Sequence, residues 1–297
     1  MVPGPQHAPT ASRGIRDTRW YRVGMRVLRM LALFAVLFAI TIRIMAPSAV
    51  FQPDHYDDPS KAPRTPTGFE DVWLTTADGV RVHGWYAAGP GARATLLYFH
   101  GNAGNLDGRR GWIASLRSLR ANVFALEYRG YGRSGGRPSE AGLYADADAA
   151  YAHLTGERGL PPSRIVVYGK SVGGGPACEL ASHAECAGVI LQSTFTSVPA
   201  MANHLIPVFP AGWFVPVAFD NEAKVANMRA PLLLVHSTDD EMIPYWMAER
   251  LKERAGDNAR LVTFERSGHN ELIFEQREAV LDAFRAFLKS LDLAPAP

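Results

Sequence analysis

The chain has 297 residues, and its 47% hydrophobic content excludes a wholly disordered protein. At roughly 150 residues per domain, this length suits two domains or one large α/β domain with an appendage. The net charge is +2, but residues 1–29 carry six arginines and one aspartate, which leaves the rest of the chain slightly acidic. A slightly acidic body is not the charge pattern of a nucleic-acid-binding protein.

The N-terminal region is predicted to form a membrane anchor. Residues 30–42 contain no charged side chain, and extending this stretch to 23–46 gives a helix of about 36 Å, enough to cross a hydrocarbon core of about 30 Å. The arginines included in the extension lie near its ends, where their side chains can reach the lipid headgroups. We therefore predict a basic cytoplasmic tail over 1–29 and a single-pass transmembrane signal-anchor helix over 23–46.

Two alternatives to an uncleaved anchor remain at this stage. A cleaved signal peptide would leave a secreted or periplasmic protein, although Pro47 after Ala46 argues against cleavage there. A buried core helix of thirteen residues would not need arginine-rich flanks. Because the arginines precede the apolar stretch, the positive-inside rule predicts a cytoplasmic N-terminus and a body outside the cytoplasm.

A proline-rich linker is predicted over 47–67, followed by one domain over 68–292 in which strands and helices alternate. The predicted strands are 71–75, 80–87, 95–100, 123–127, 164–168, 188–192, 232–236 and 260–264. The predicted helices are 106–119, 139–154, 172–183, 245–254 and 272–291. The first two strands form a hairpin across Asp78-Gly79, and the alternation predicts a mostly parallel eight-stranded sheet with helices on both faces.

Gly169-Lys170-Ser171-Val172-Gly173 joins an apolar strand directly to a helix. A serine at such a junction must adopt a strained turn with positive φ, and the flanking glycines remove side chains that would collide there. The turn would expose the hydroxyl above the sheet, in front of the amide groups of a helix N-terminus. We predict that Ser171 is a nucleophile.

A serine nucleophile needs a base and an acidic residue that orients it. Of the nine histidines, only His269 follows the last predicted strand in a short loop before the final helix. His100 and His236 end strands and are expected to hydrogen-bond loop backbone instead. The acid lies among Asp239, Asp240 and Glu241, which follow strand 232–236, and the order serine, acid, histidine is that of nucleophile-elbow hydrolases.

The oxyanion of an acyl-transfer reaction needs preorganised donors. The backbone N–H of Val172, directly after the nucleophile, is one candidate. The second is expected in the loop after strand 95–100, where Asn102 is preferred and Ala103 is the alternative.

These segments together resemble the α/β-hydrolase superfamily. The resemblance rests on HGNAGN, EYRGYGRSGG, GKSVGG, HSTDDEMIP and SGHN, and on LQSTFTSVPAMA after the sixth strand. It covers about residues 69–291. The combination of motifs is similar to the membrane-anchored branch of the superfamily, which includes Bem-type proteins and protein depalmitoylases. It implies an α/β-hydrolase fold with Asp240 as the triad acid, while Asp239 stays possible. Glu127 departs from the aspartate that relatives often carry there.

Residues 194–229 form the one long insertion, a predicted lid after the sixth strand. Within it, residues 205–219 (LIPVFPAGWFVPVAF) carry no charge but three prolines, which excludes a regular membrane helix. One interpretation is a hydrophobic packing segment over the sheet. The other is a lid that faces the bilayer and lines an acyl pocket, with Phe209, Trp213 and Phe214 as substrate-binding residues.

The sequence thus predicts a membrane-anchored serine hydrolase that cleaves carboxylic esters or thioesters through Ser171, His269 and Asp240. Two cysteines are too few for a disulfide framework or a cysteine-based metal cluster, and this chemistry needs neither metal nor organic cofactor. No nucleic-acid partner and no obligate protein partner are expected. The alternatives are an aminopeptidase or amidase of the same fold, or an inactive membrane-tethered binding module.

Overall fold

The computed structural model describes residues 4, 19–291 and 293. Most of the predicted cytoplasmic tail and the predicted domain boundary at residue 292 therefore lie outside the described residues. Of the tail, Gly4 and residues 19–29 are described.

Eight strands of the described chain form one sheet in the order β1-β2-β4-β3-β5-β6-β7-β8. The strands are β1 (Glu70–Thr75), β2 (Arg81–Ala87), β3 (Thr95–Phe99), β4 (Asn122–Glu127), β5 (Ile165–Lys170), β6 (Gly188–Gln192), β7 (Leu232–Ser237) and β8 (Ala259–Phe264). β2 pairs antiparallel with both β1 and β4, whereas β4, β3 and β5 to β8 run parallel. The predicted hairpin and the predicted mostly parallel sheet are both confirmed.

The helices of the described residues follow in chain order. They are α1 (Arg19–Val50), α2 (Arg110–Leu116), α3 (Glu140–Ala152), α4 (Gly174–His183), α5 (Val198–Leu205), α6 (Asn221–Val225), α7 (Trp246–Ala255), α8 (Leu272–Glu275) and α9 (Arg277–Ser290). The helix predicted over 272–291 is wrong as a single element, because the backbone leaves helical geometry at Gln276.

Helices cover both faces of the sheet, as predicted. β3 is buried along its whole length, and its successive side chains enter two different cores. Leu97 and Phe99 pack with side chains of α3, α4 and α7, while Leu96 and Tyr98 pack with side chains of α2 and α9. Because a strand between two helical layers has no face toward water, its residues are apolar without alternation.

The N-terminal helix is longer than predicted. α1 begins four residues before 23–46 and ends four residues after it, and Pro47 lies inside it. It is long and apolar enough to cross a membrane, by length and composition. The helical turn continues past the proline, since the N–H of Phe51 donates to the carbonyl of Pro47 at 2.8 Å. The predicted linker therefore begins after Val50 and not at residue 47.

The linker is tied to the domain. Phe51 is buried and packs edge-on against Phe219, with ring centroids 6.0 Å apart. Pro53 and His55 form isolated parallel bridges with Gly104 and Gly132, which lie in loops of the domain. The extended conformation predicted from the prolines is present, but it is held by backbone hydrogen bonds to the domain.

We predict that Phe51→Ala lowers the free energy of unfolding by about 3–5 kcal/mol, because it leaves a cavity between α1 and the domain core. Thermal or denaturant unfolding of the full chain in detergent micelles would measure this. Met45→Ala, at an exposed position near the end of α1, is the matched control and should have little effect. An equal loss of stability in the two variants would show that Phe51 does not pack in the domain core.

Candidate active site

Ser171 lies at the sharp turn between β5 and α4. Its φ is +54°, in the left-handed region that side chains other than glycine rarely adopt. A Cβ on Gly169 would lie 2.4 Å from the carbonyl oxygen of Gly173, and a Cβ on Gly173 would lie 2.1 Å from that of Phe99. Both positions therefore exclude any side chain. The hydroxyl of Thr194 donates to the carbonyl of Ser171 at 2.7 Å and holds the turn from the β6 side.

His269 lies between Ser171 and Asp240. Its Nε2 is 3.0 Å from Oγ of Ser171, and its Nδ1 is 2.8 Å from Oδ2 of Asp240. All three residues are buried. An Nδ1–H that donates to the carboxylate leaves Nε2 as the acceptor for the serine hydroxyl, which is the arrangement a general base requires.

The surroundings of Asp240 keep its carboxyl ionised. Burial by itself would raise its pKa, but hydrogen bonds from His236 and His269, together with the N–H of Ile243, lower that pKa below its ordinary value. Oδ1 accepts from the N–H groups of Met242 and Ile243 at 3.0 and 2.7 Å. Nε2 of His236 lies 3.3 Å from Oδ2 and 2.9 Å from the carbonyl of Ile243. The predicted backbone hydrogen bond of His236 is therefore present.

The three consecutive acids all bind the loop that carries His269. Asp240 contacts the imidazole, as described above. Asp239 accepts from the N–H of Arg266 at 2.7 Å, and Glu241 accepts from the N–H of His269 at 2.9 Å. The imidazole thus has Asp240 as its partner, whereas Asp239 and Glu241 hold the backbone of the loop.

The loop of residues 101–105 lies beside the serine, and a Cβ on Gly101 would be 3.3 Å from that of Ser171. The Arg109 guanidinium donates to the carbonyls of Gly101, Ala103 and Asn105. These hydrogen bonds direct the three carbonyl oxygens of the loop toward the Arg109 cation. Sequence analysis did not single out Arg109, which lies on the short 3-10 helix after the loop.

A buried carboxyl supports the same loop from below. Oε2 of Glu127 accepts from the N–H of Leu106 at 3.0 Å, and Oε1 lies 3.2 Å from Nε2 of His100. Burial raises the pKa of Glu127 to about 8 and holds the pKa of His100 well below its ordinary value. Burial therefore favours the uncharged form of both groups. His100 then donates from Nδ1 to the carbonyl of Gly101 at 2.7 Å, the loop-backbone contact that the sequence predicts.

The end of α1 reaches the same loop. The side-chain amide of Asn102 donates to the carbonyl of Ala49 at 3.1 Å and accepts from the N–H of Gln52 at 2.8 Å. The N–H of Gly104 donates to the carbonyl of Gln52 at 3.1 Å. The Asn102 side chain therefore anchors the loop to α1, which leaves its backbone N–H as the group that could serve an oxyanion.

A cavity of about 400 Å³ contains Ser171 and His269. Apolar walls come from side chains that include Trp112 and Ile273, and one edge is formed by Ala49 and Gln52. Lys170 also lines it, and burial, followed by the nearby charge of Arg109, lowers the Lys170 pKa to about 8. The ammonium has Asn270 Oδ1 as a hydrogen-bond partner at 3.4 Å. The cavity is thus mainly apolar, with a basic side chain beside Ser171.

The three predicted substrate-binding residues do not line this cavity. Phe209 packs against Phe38 of α1 with ring centroids 5.1 Å apart, and Phe214 stacks on Phe209 at 5.4 Å. Trp213 is 84% exposed. The predicted acyl-pocket lining is corrected here: Phe209 packs on α1 and Phe214 stacks on Phe209, contacts that local sequence could not reveal.

Comparison with known proteins identifies relatives of similar sequence. The chain is 34% identical over 232 residues to an uncharacterized protein of Mycobacterium tuberculosis H37Rv, spanning 77% of this chain and 82% of the relative. It is 33% identical over 250 residues to the uncharacterized protein YfhR of Escherichia coli K12, with 81% and 86% covered. It is 35% identical over 220 residues to the alpha/beta hydrolase domain-containing protein WAV2 of Arabidopsis thaliana, with 66% and 70% covered.

Solved structures and family models agree on the fold. The Pyrococcus furiosus esterase Pf2001 matches with a TM-score of 0.67 at 22% identity, over 81% of this chain and 99% of the esterase. The esterase domain of a Rhodothermus marinus protein matches at 0.58 and 19% identity, over 75% and 99%. Family models described as alpha/beta hydrolase fold and as TAP-like protein match residues 94–226 and 201–295. The chain belongs to the α/β-hydrolase superfamily.

Proposed function

We propose that this protein is a membrane-anchored serine hydrolase that cleaves carboxylic ester or thioester bonds of acyl substrates. The observation that carries the proposal is the position of His269, hydrogen-bonded to Ser171 on one side and to Asp240 on the other. The esterase fold of the solved relatives and the apolar cavity at Ser171 support an acyl substrate.

The reaction would begin with transfer of the Ser171 hydroxyl proton to Nε2 of His269 as Oγ attacks the acyl carbonyl. Asp240, held ionised by its hydrogen bonds, stabilises the imidazolium that forms. The N–H groups of Val172 and of Asn102 or Ala103 would bind the oxyanion. His269 then gives the proton to the leaving alcohol or thiol, and water releases the acyl group from Ser171 by the same steps.

We propose further that α1 crosses the membrane with its arginine-rich end in the cytoplasm. The arginines before the apolar stretch support this orientation through the positive-inside rule. The contacts of Phe51 and Gln52 with the domain support a helix that stays attached and is not cleaved off as a signal peptide. These contacts connect the end of the helix directly to the core and to the loop at Ser171.

Ser171→Ala should lower the rate of ester hydrolysis by up to about 10⁶-fold, because the acyl-enzyme cannot form. It should also abolish labelling by a fluorophosphonate probe. The matched control is Ser182→Ala, at an exposed serine near the C-terminal end of α4. This variant should retain both ester hydrolysis and labelling by the probe. Labelling or hydrolysis that survives in Ser171→Ala would refute the proposed nucleophile, and a panel of esters of graded chain length would define the acyl preference.

The buried Glu127 should make stability depend on pH. Its pKa is raised in the folded state, so its contribution is complete below the unfolded pKa and is lost as pH rises through about 8. Glu127→Gln keeps an acceptor for Leu106 but cannot ionise, so its melting temperature relative to wild type should rise between about pH 4.5 and 8 and stay level above that. Glu127→Ala should lower stability by about 1–3 kcal/mol below about pH 4.5, where the wild-type carboxyl is neutral in both the folded and the unfolded state. Parallel melting profiles of Glu127→Gln and wild type would contradict a neutral carboxyl.

Protease added to spheroplasts should digest the hydrolase domain and leave a membrane-protected N-terminal fragment that contains α1. This follows from a body outside the cytoplasm. A cytoplasmic protein should stay intact in the same sample as a control for spheroplast integrity. Protection of the domain, with the tail still attached, would overturn the orientation.

A further inference from the structure

Residues 205–214 form an exposed apolar segment beside α1. Its large side chains Leu205, Val208 and Trp213 are 69%, 95% and 84% exposed, and we call these three the apolar patch. The segment carries no charged residue. Three neighbouring large apolar side chains exposed to this extent are characteristic of an interaction surface.

The segment packs against one face of the helix. The ring contact between Phe38 and Phe209 is described above, and Ala211–Phe214 contact α1. On α1, the less exposed side chains at this level are those of Ala35, Phe38 and Ala39, which recur at helical spacing and form one face. The segment therefore lies alongside the helix and not beyond its end.

The position of Phe38 along α1 gives the depth of this contact. Phe38 lies five residues before Arg43 and eight before Ala46, which is about 8–12 Å along a helix. Arg43 and Ala46 mark the domain side of the apolar stretch. A side chain that packs on Phe38 is therefore at the level of the hydrocarbon if α1 crosses a membrane.

We propose that residues 205–214 insert into the bilayer leaflet on the domain side, and that lipid acyl chains cover the apolar patch. This inference rests on the proposed membrane anchoring of α1. The occupant is lipid because the patch is continuous with the helix face that lipid would surround, and because it carries no charged side chain. Its one hydrogen-bonding group, the indole N–H of Trp213, is of the kind found at membrane interfaces.

The backbone of the segment is suited to this environment. Amide groups in hydrocarbon must be satisfied within the protein. From Ile206 to Trp213, two residues are prolines without an N–H, and five donate to acceptors in residues 202–210. Those five donors are Ile206, Phe209, Ala211, Gly212 and Trp213. Within the described residues 206–213, the N–H of Val208 is the one for which no such acceptor is found.

Insertion would place the catalytic cavity close to the membrane surface. Ala49 and Gln52, which line the cavity, lie only three and six residues beyond Ala46. An ester bond at the level of the lipid headgroups could then reach Ser171 while its acyl chain stays near the bilayer. The inference therefore assigns membrane-resident acyl esters as the substrate class.

The test uses the full chain in phosphatidylcholine nanodiscs, with Cys178 and Cys186 replaced by alanine. A single cysteine at Val208, Leu37 or Asp257 is labelled with an environment-sensitive fluorophore, and lipids carrying a spin label on the acyl chain are used as quenchers. The label at Leu37 reports whether α1 lies in the bilayer. Asp257 is the matched control, because it is exposed and precedes β8, at the end of the sheet opposite to Ser171. We expect quenching at Val208 comparable to that at Leu37, and little quenching at Asp257.

The outcomes separate the two proposals. Quenching at Leu37 without quenching at Val208 would overturn insertion of the segment and leave the anchor intact. An absence of quenching at both positions would overturn the anchor and, with it, the insertion. As a second readout, Trp213→Glu should slow hydrolysis of a long-chain ester in vesicles but not of a soluble acetyl ester. An equal effect on both substrates would contradict a role in membrane access.

Discussion

The left-handed backbone of Ser171 is the constraint on which the site depends. A residue other than glycine in this conformation is strained by about 1–3 kcal/mol, and the surrounding structure must hold it there. The close approaches at Gly169 and Gly173 and the hydrogen bond from Thr194 supply that support. With the turn held, the hydroxyl meets His269 at a fixed distance above the carboxyl ends of β5, β6 and β7.

Two buried carboxyls near the site have opposite charge states for a clear physical reason. Asp240 receives several hydrogen bonds from imidazole and backbone N–H groups, so its anion is stabilised despite burial. Glu127 receives one backbone hydrogen bond and faces a neutral imidazole, so burial dominates. The proposed mechanism uses the ionised Asp240, because its charge stabilises the imidazolium of His269.

The N-terminal helix is part of the candidate site as well as an anchor candidate. The chain enters the core at Phe51, directly after the helix, and Ala49 and Gln52 hold Asn102 in the loop beside Ser171. Removal of the helix would therefore take away a wall of the cavity and the support of the loop.

Local sequence determined the strand and helix alternation, the elbow at Ser171 and the choice of His269, because periodicity and glycine spacing are local properties. Without the family resemblance, the sequence left open whether Asp239 or Asp240 contacts His269. Adjacent carboxylates differ only in where their side chains point, which local sequence does not show. Tertiary structure decided that choice, and it placed Phe209 on Phe38 instead of in the cavity. The roles of Arg109 and Glu127 were equally hidden, because each depends on partners that folding brings from other elements of the chain. For His236, the sequence predicted the bond to loop backbone but not the contact with Asp240.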